Sequence, residues 1–181
     1  APILSDLRMQ KEPEELHALQ LACDITEKGF RRVLNFTKPG VTEYEIEAEF
    51  IHEFTRNRSE GFAYTPIIAS GANACVLHYI DNALTCKDGD ILLLDVGASY
   101  ANYNADMTRT IPVNGRFSPR QKQVYQAVHA VLDYATEIMQ PGVFWVDYQK
   151  EVERQRKMVL KAEHAHQRLL LVVDRKSTRL N

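Results

Sequence analysis

Several things are scarce in this chain of 181 residues, and each shortage removes a class of protein. The three cysteines, Cys23, Cys75 and Cys86, are scattered and lack CxxC spacing. Neither a disulfide framework nor a thiolate metal site is expected, and reduced thiols packed as small apolar groups in a cytoplasmic protein fit the pattern. An excess of either charge is missing too. With 22 basic and 24 acidic residues the net charge is -2, so there is no broad field to draw nucleic acid or anionic lipid, and neither is expected as a partner. No apolar run approaches the roughly 20 residues needed to cross a bilayer, and no signal-like N-terminus is present, so no membrane is expected and the protein should be soluble. An initiator Met is absent, and APILSDLRMQK shows no helical or strand period. That opening reads as the tail of a preceding N-terminal domain.

What is present is a chain of 45% hydrophobic content, enough for one domain with a core or for part of a larger one. Pro13 suits the first turn of a helix, with Leu16, Leu19, Cys23, Phe30, Val33 and Leu34 as its apolar stripe through Phe36, and Lys38-Pro39-Gly40 as its stop. Thr42 and Glu45 form a capping box with Val41 and Ile46 as staple, so a second helix starts at Glu43. Its buried face is expected to be Ile46, Phe50, Ile51 and Phe54, and Glu43, Glu45, Glu47, Glu49 and Glu53 are expected in solvent. From Gly61, FAYTPIIAS and ACVLHY read as two strands joined by a turn at Gly71 and Asn73. Ser118, Pro119 and Gln121 start a third helix that runs to about Met139 and ends at Gln140-Pro141-Gly142.

The stretch that organises the chain is GDILLLDVGASYANYNADMTRTIPV, Gly89 to Val113, which fits two strands and one tight turn. A reversal at Tyr100 and Ala101 sets Asp95 directly across from Asp106. Cβ atoms of such partners lie roughly 5 Å apart, and like charges placed so destabilise a sheet. Asp95 follows Ile91 to Leu94 and precedes Val96, a run that reads as a strand buried on both faces, where a bound cation rather than water would screen the charge. Oxygen donors suit Mg, Mn or Ca better than zinc. Thr108 and Thr110 share the strand face of Asp106 and could hydrogen-bond a ligating carboxylate. Arg109 falls on the other face and reads as half of a structural ion pair. On spacing alone, two hairpin-surface aspartates remain an equal alternative to a metal site. On its own His78 reads as a hydrogen-bonded structural histidine. His17, His52 and His129 lack a second ligand at i+4, and His164 and His166, two apart, point in different directions on a helix.

LLLDVGASYANYNADMTRTIPVNGRFSPRQ closely resembles the metal-binding hairpin of the pita-bread metallopeptidases, and within them aminopeptidase P. The likeness extends to about Lys161. It implies an α+β, pita-bread (creatinase/aminopeptidase-like) fold with an antiparallel-rich sheet covered by helices. It also implies that Asp95 and Asp106 bind two divalent metal ions, Mn(2+) in that family, with Asp106 bridging both. LHY with nearby Asn82 resembles the segment that carries a substrate-side histidine, which makes His78 the catalytic candidate without making it a metal ligand. The implied reaction is hydrolysis of the Xaa-Pro bond in peptides with proline at the second position, by a homo-oligomer when intact. Two rivals stand beside it: a metal-free pita-bread module that binds peptides or proteins, and a prolidase-like or creatinase-like hydrolase.

Helix, KPGV, helix in the first half is echoed by helix, QPGV, helix in the second, which implies two similar halves. The second sheet, where the resemblance puts a further His and two Glu ligands, has no matching positions. Residues 1–163 are therefore expected to be a partial catalytic domain with little activity alone. The terminal DRKSTRLN reads as a translated sequencing adapter, so residues 164–181 are expected to be a tail of doubtful origin, with the sequencing artefact from about residue 174.

Overall fold

Helix boundaries follow the capping chemistry closely. The structure is a computed structural model that describes residues 2–159 together with 161, so the expectations for the tail, His164 and His166 included, lie outside the described residues. α1 spans Pro2–Met9, α2 Pro13–Phe36 and α3 Glu43–Arg56. α1 was not expected; it exposes Ile3, Leu4, Leu7 and Met9, which is why no buried period marks it in the sequence. α2 opens on a Glu12/Glu15 capping box with Pro13 in its first turn, and α3 on the Thr42/Glu45 box. The buried stripe of α2 is Ala18, Ala22, Ile25, Thr26, Gly29, Phe30 and Val33. Its small residues let the helix lie close to α3, and the expected Leu16, Cys23 and Leu34 are exposed instead. Cys75 is exposed as well, and only Cys86 packs inside as expected.

The strands are β1 Gly61–Phe62, β2 Ile67–Ser70, β3 Ile91–Val96, β4 Ala98–Tyr100, β5 Tyr103–Asn104 and β6 Met107–Pro112. They make two antiparallel three-stranded sheets, in the orders β1-β4-β5 and β2-β3-β6. ACVLHY is not a strand. Gly71–Cys75 forms a short 3-10 helix, and residues 76–84 are irregular until Thr85 bridges to Thr42. Tertiary hydrogen bonds to side chains, described below, take the place of a ladder there.

Alternation along β3 is clean. Leu92, Leu94 and Val96 are wholly buried against Ile25, Val33, Ile46, Phe50 and Phe54 of α2 and α3, while Ile91, Leu93 and Asp95 are half-buried on the opposite face. β3 is thus covered fully on one face only, a correction to the reading of burial on both. α3 buries Ile46, Phe50 and Phe54 as expected but leaves Ile51 exposed, and it buries Glu43 and Glu53, which were assigned to solvent. Positions 43, 46, 50 and 53 follow one another along a single helix face, so Glu43 opens the buried stripe and Glu53 lies in its last turn beside Phe54.

The chain divides after Arg116 into two units. The second carries α4, Pro119–Ile138, whose N-cap Ser118 accepts from the Gln121 amide, and α5, residues 145–159. The repeat is local and specific. Val41 N–H donates to Lys38 O as Val143 N–H does to Gln140 O, and Ile46 N–H donates to Thr42 O as Tyr148 N–H does to Phe144 O. Gly40 and Gly142 sit at φ 96° and 90° in the two turns. Among the described residues no helix is long and apolar enough to cross a membrane.

Candidate metal and substrate site

One register runs unbroken through the hairpin, from Asp95↔Thr108 and Val96↔Met107 to Ser99↔Asn104 and Tyr100↔Tyr103. The turn is Ala101-Asn102, at φ 51° and 63°, as a two-residue turn of the twist-matched type requires. It lies one residue beyond the expected reversal, because Asn accepts the left-handed backbone readily and bulky Tyr100 does not. Asp95 therefore faces Thr108, and Asp106 falls across from Gly97. The partner of each position moves by two residues, so Asp95 and Asp106 stay on one face as diagonal neighbours.

The two carboxylates converge on one group. The Tyr64 hydroxyl lies 2.7 Å from Asp95 Oδ1 and 3.1 Å from Asp106 Oδ1. Burial, and after it the hydrogen bond to Asp95, raise the Tyr64 phenol above its ordinary pKa, so it stays protonated and available as donor. Among the described residues no other hydrogen bond reaches either carboxylate. Thr108 and Thr110 do not play the supporting part expected of them. Arg109 donates to the Thr108 carbonyl at 2.7 Å, and among the described residues it joins no ion pair. Gly97 makes the approach of the strands possible: a Cβ there would lie 1.9 Å from the Ala105 carbonyl oxygen, on the residue just before Asp106.

Tyr64, Thr65, Ile67, His78, Ile80, Asp95 and Asp106 line one cleft of about 410 Å³. The three residues singled out from the sequence are thus brought together. Ile67 reaches the cleft because it pairs with Asp95 across β2 and β3. Tyr64, Thr65, Ile67 and Ile80 were missed, since a tyrosine in an apolar run reads as core; only its place just ahead of a strand that pairs with β3 could have marked it. His17 and His52 do not line the cleft, and His129, in the second unit, is paired with Asp133 at 2.8 Å.

Two carboxylates with no thiolate are the donor chemistry of a hard divalent cation. Among the described residues no group of three or more His, Cys, Asp or Glu side chains is placed to hold a metal ion. The residues present therefore fit part of the coordination of such an ion, which takes about six oxygen ligands.

Sheet, helices and carboxylate pair define a class before any individual relative does. Residues 17–164 match the model of metallopeptidase family M24, and the chain belongs to that family, which implies a divalent metal. Over 141 residues it is 42% identical to an Xaa-Pro aminopeptidase of Haemophilus influenzae, covering 78% of this chain and 33% of that protein. It is 37% identical to an Xaa-Pro dipeptidase of Mus musculus, covering 84% of this chain and 32% of that one. A solved Escherichia coli aminopeptidase P in complex with substrate superposes with a TM-score of 0.85 at 36% identity, covering 88% of this chain and 36% of its own. The α+β, aminopeptidase-like fold is thereby borne out, and the chain spans about a third of the length of the curated relatives it matches.

Proposed function

We propose that this chain is part of a metal-dependent aminopeptidase that releases the N-terminal residue from peptides with proline at the second position. The observation that carries the reading is the convergence of Asp95 and Asp106 on a single hydroxyl, in a cleft that also holds His78. Asp95 and Asp106 would hold two divalent ions, Mn(2+) first among them, with ligands from outside the described residues completing the shell. Bound there, such ions lower the pKa of a water and polarise a substrate carbonyl.

The chain's own residues do the rest. Tyr64 keeps the carboxylates aimed at one point by donating to Asp95 and Asp106. His78 donates a hydrogen bond to the substrate and stabilises charge that develops during attack. Ile67 and Ile80 give the cleft an apolar wall that excludes water and suits a prolyl ring. A cytoplasmic homo-oligomer is the expected setting.

A dipeptidase is the second reading, favoured by the likeness to the mouse enzyme. Assays of the full-length protein with Mn(2+) on Xaa-Pro tripeptides and Xaa-Pro dipeptides separate the two. Turnover of tripeptides is the expected result; cleavage of dipeptides alone supports the second reading, and no turnover with no metal bound overturns both.

A further inference from the structure

The segment between β2 and β3 carries His78 into the cleft through two residues with left-handed backbone. His78 has φ 55° and Asn82 φ 45°. Asn and His accept such values more readily than other residues with a Cβ, but a single conformation results only where the surroundings fix it. No strand or helix does so here, because the segment is irregular from Val76 to Leu84.

Two buried polar side chains take that role. Glu43, in the first turn of α3, is wholly buried, and both its oxygens are engaged twice. Oε1 accepts from the Ser70 amide and hydroxyl, each at 2.7 Å, and Oε2 accepts from the Tyr79 hydroxyl at 2.7 Å and the Leu84 amide at 2.9 Å. Asn82 is only 4% exposed. Its Oδ1 accepts from the Ile68 amide at 3.0 Å, and its Nδ2 donates to Glu47 at 3.0 Å and to the Pro66 carbonyl at 3.1 Å.

These bonds fall on both sides of His78 in the chain. Ser70 precedes it, while Tyr79, Asn82 and Leu84 follow it. They end on β2 and α3, and β2 supplies Ile67 to the same cleft. Pro66, Ile68 and Ser70 offer the outer edge of β2, and this edge is occupied by side chains in place of a further strand. A buried carboxylate with four donors and a buried amide with three partners are costly to disturb, so they restrain the segment.

We propose that Glu43 and Asn82 are positioning residues, which hold His78 in the cleft by tying Tyr79, Leu84 and Asn82 itself to α3 and the outer edge of β2. The inference rests on the reading of His78 as the substrate-side residue. Neither Glu43 nor Asn82 lines the cleft, so an effect of either on the reaction passes through the residues that do, His78 among them.

Two mild variants test it. Asn82→Gly keeps the left-handed backbone accessible and removes only the amide, and Tyr79→Phe removes only the hydroxyl that reaches Glu43. The first readout is the His78 imidazole NMR resonance in this chain, assigned by its loss in His78→Gln. It should shift or broaden in both variants. The second is hydrolysis of an Xaa-Pro tripeptide by the full-length, Mn(2+)-loaded protein carrying Asn82→Gly, His78→Ala or both. Asn82→Gly should lower kcat about tenfold with little change in KM. The double variant should be no slower than His78→Ala alone, because a residue that acts through His78 has nothing left to position. An unmoved imidazole resonance in both variants overturns the proposal, and so does full additivity with His78→Ala. If the wild type turns over no Xaa-Pro peptide, the functional reading fails, and the resonance alone then decides whether these bonds hold His78. Should Asn82→Gly fail to fold, Tyr79→Phe takes its place in both readouts.

Discussion

Glu43 and the Asp95/Asp106 pair are both carboxylates set beside the same apolar core, and they are served in opposite ways. Glu43 is closed off from water and accepts four hydrogen bonds from Ser70, Tyr79 and Leu84. Asp95 and Asp106 share one hydroxyl between them and open into a cleft. A carboxylate saturated with protein donors is part of the scaffold, because nothing remains for it to bind. A converging pair left short of donors still has lone pairs and like charge to satisfy, which a divalent cation does at once. The contrast separates scaffold from site without reference to any relative.

The largest effect expected of any change on the site side is in catalysis. Asp106→Asn in the full-length protein should lower kcat/KM on Xaa-Pro peptides on the order of a thousandfold, by removing a metal donor and not a substrate contact. Steady-state kinetics at saturating Mn(2+) check it, and a loss confined to KM would contradict it. Gly97→Ala should do as much to the fold as Asp106→Asn does to activity. Its Cβ would meet the Ala105 carbonyl at 1.9 Å, backbone that cannot move aside without parting the hairpin. A loss of at least about 3 kcal/mol in urea unfolding is expected.

The comparison is put most sharply by stability in the absence of metal. Glu43→Gln turns one acceptor into a donor facing donors and should cost about 3 kcal/mol. Asp95→Asn removes like charge beside Asp106 and should leave the metal-free midpoint unchanged or higher. Equal losses from the two would dissolve the distinction drawn here. The smallest effect belongs to the start of α3. Thr42→Ala should cost about 1 kcal/mol at neutral pH. The hydrogen bonds from the Thr42 backbone and then its hydroxyl lower the Glu45 pKa below its ordinary value. The part that depends on ionised Glu45 is therefore fully present above the ordinary carboxylate range and fades as pH falls through the lowered value. The gap between wild type and variant should narrow along that acid limb.

The legible parts of this chain were those fixed by local chemistry. Pro13, the capping residues at Thr42 and Ser118 and the PGV turns located both ends of α2 and α4 and the start of α3, and the Asp spacing located the hairpin and both its carboxylates. The register slipped by one turn position, because the reading passed over the left-handed preference of Asn102. ACVLHY alternates like a strand, and its actual course is dictated by Glu43, 36 residues before Tyr79, and by Asn82, whose side chain bonds back to β2. Glu43 itself looked like one more solvated acid in a run of five, since single-helix periodicity cannot show which end of a stripe meets four donors. Tyr64 was hidden for a related reason: it meets Asp95 and Asp106 only when β2 pairs with β3.

Titration of this chain with Mn(2+), followed residue by residue through paramagnetic broadening of its amide resonances, addresses the donor-short pair directly. Broadening that begins at Asp95, Asp106 and Tyr64, saturates, and disappears in Asp106→Asn is the result expected. Broadening that is centred on the glutamates of α3, or that is unchanged in Asp106→Asn, would contradict the account.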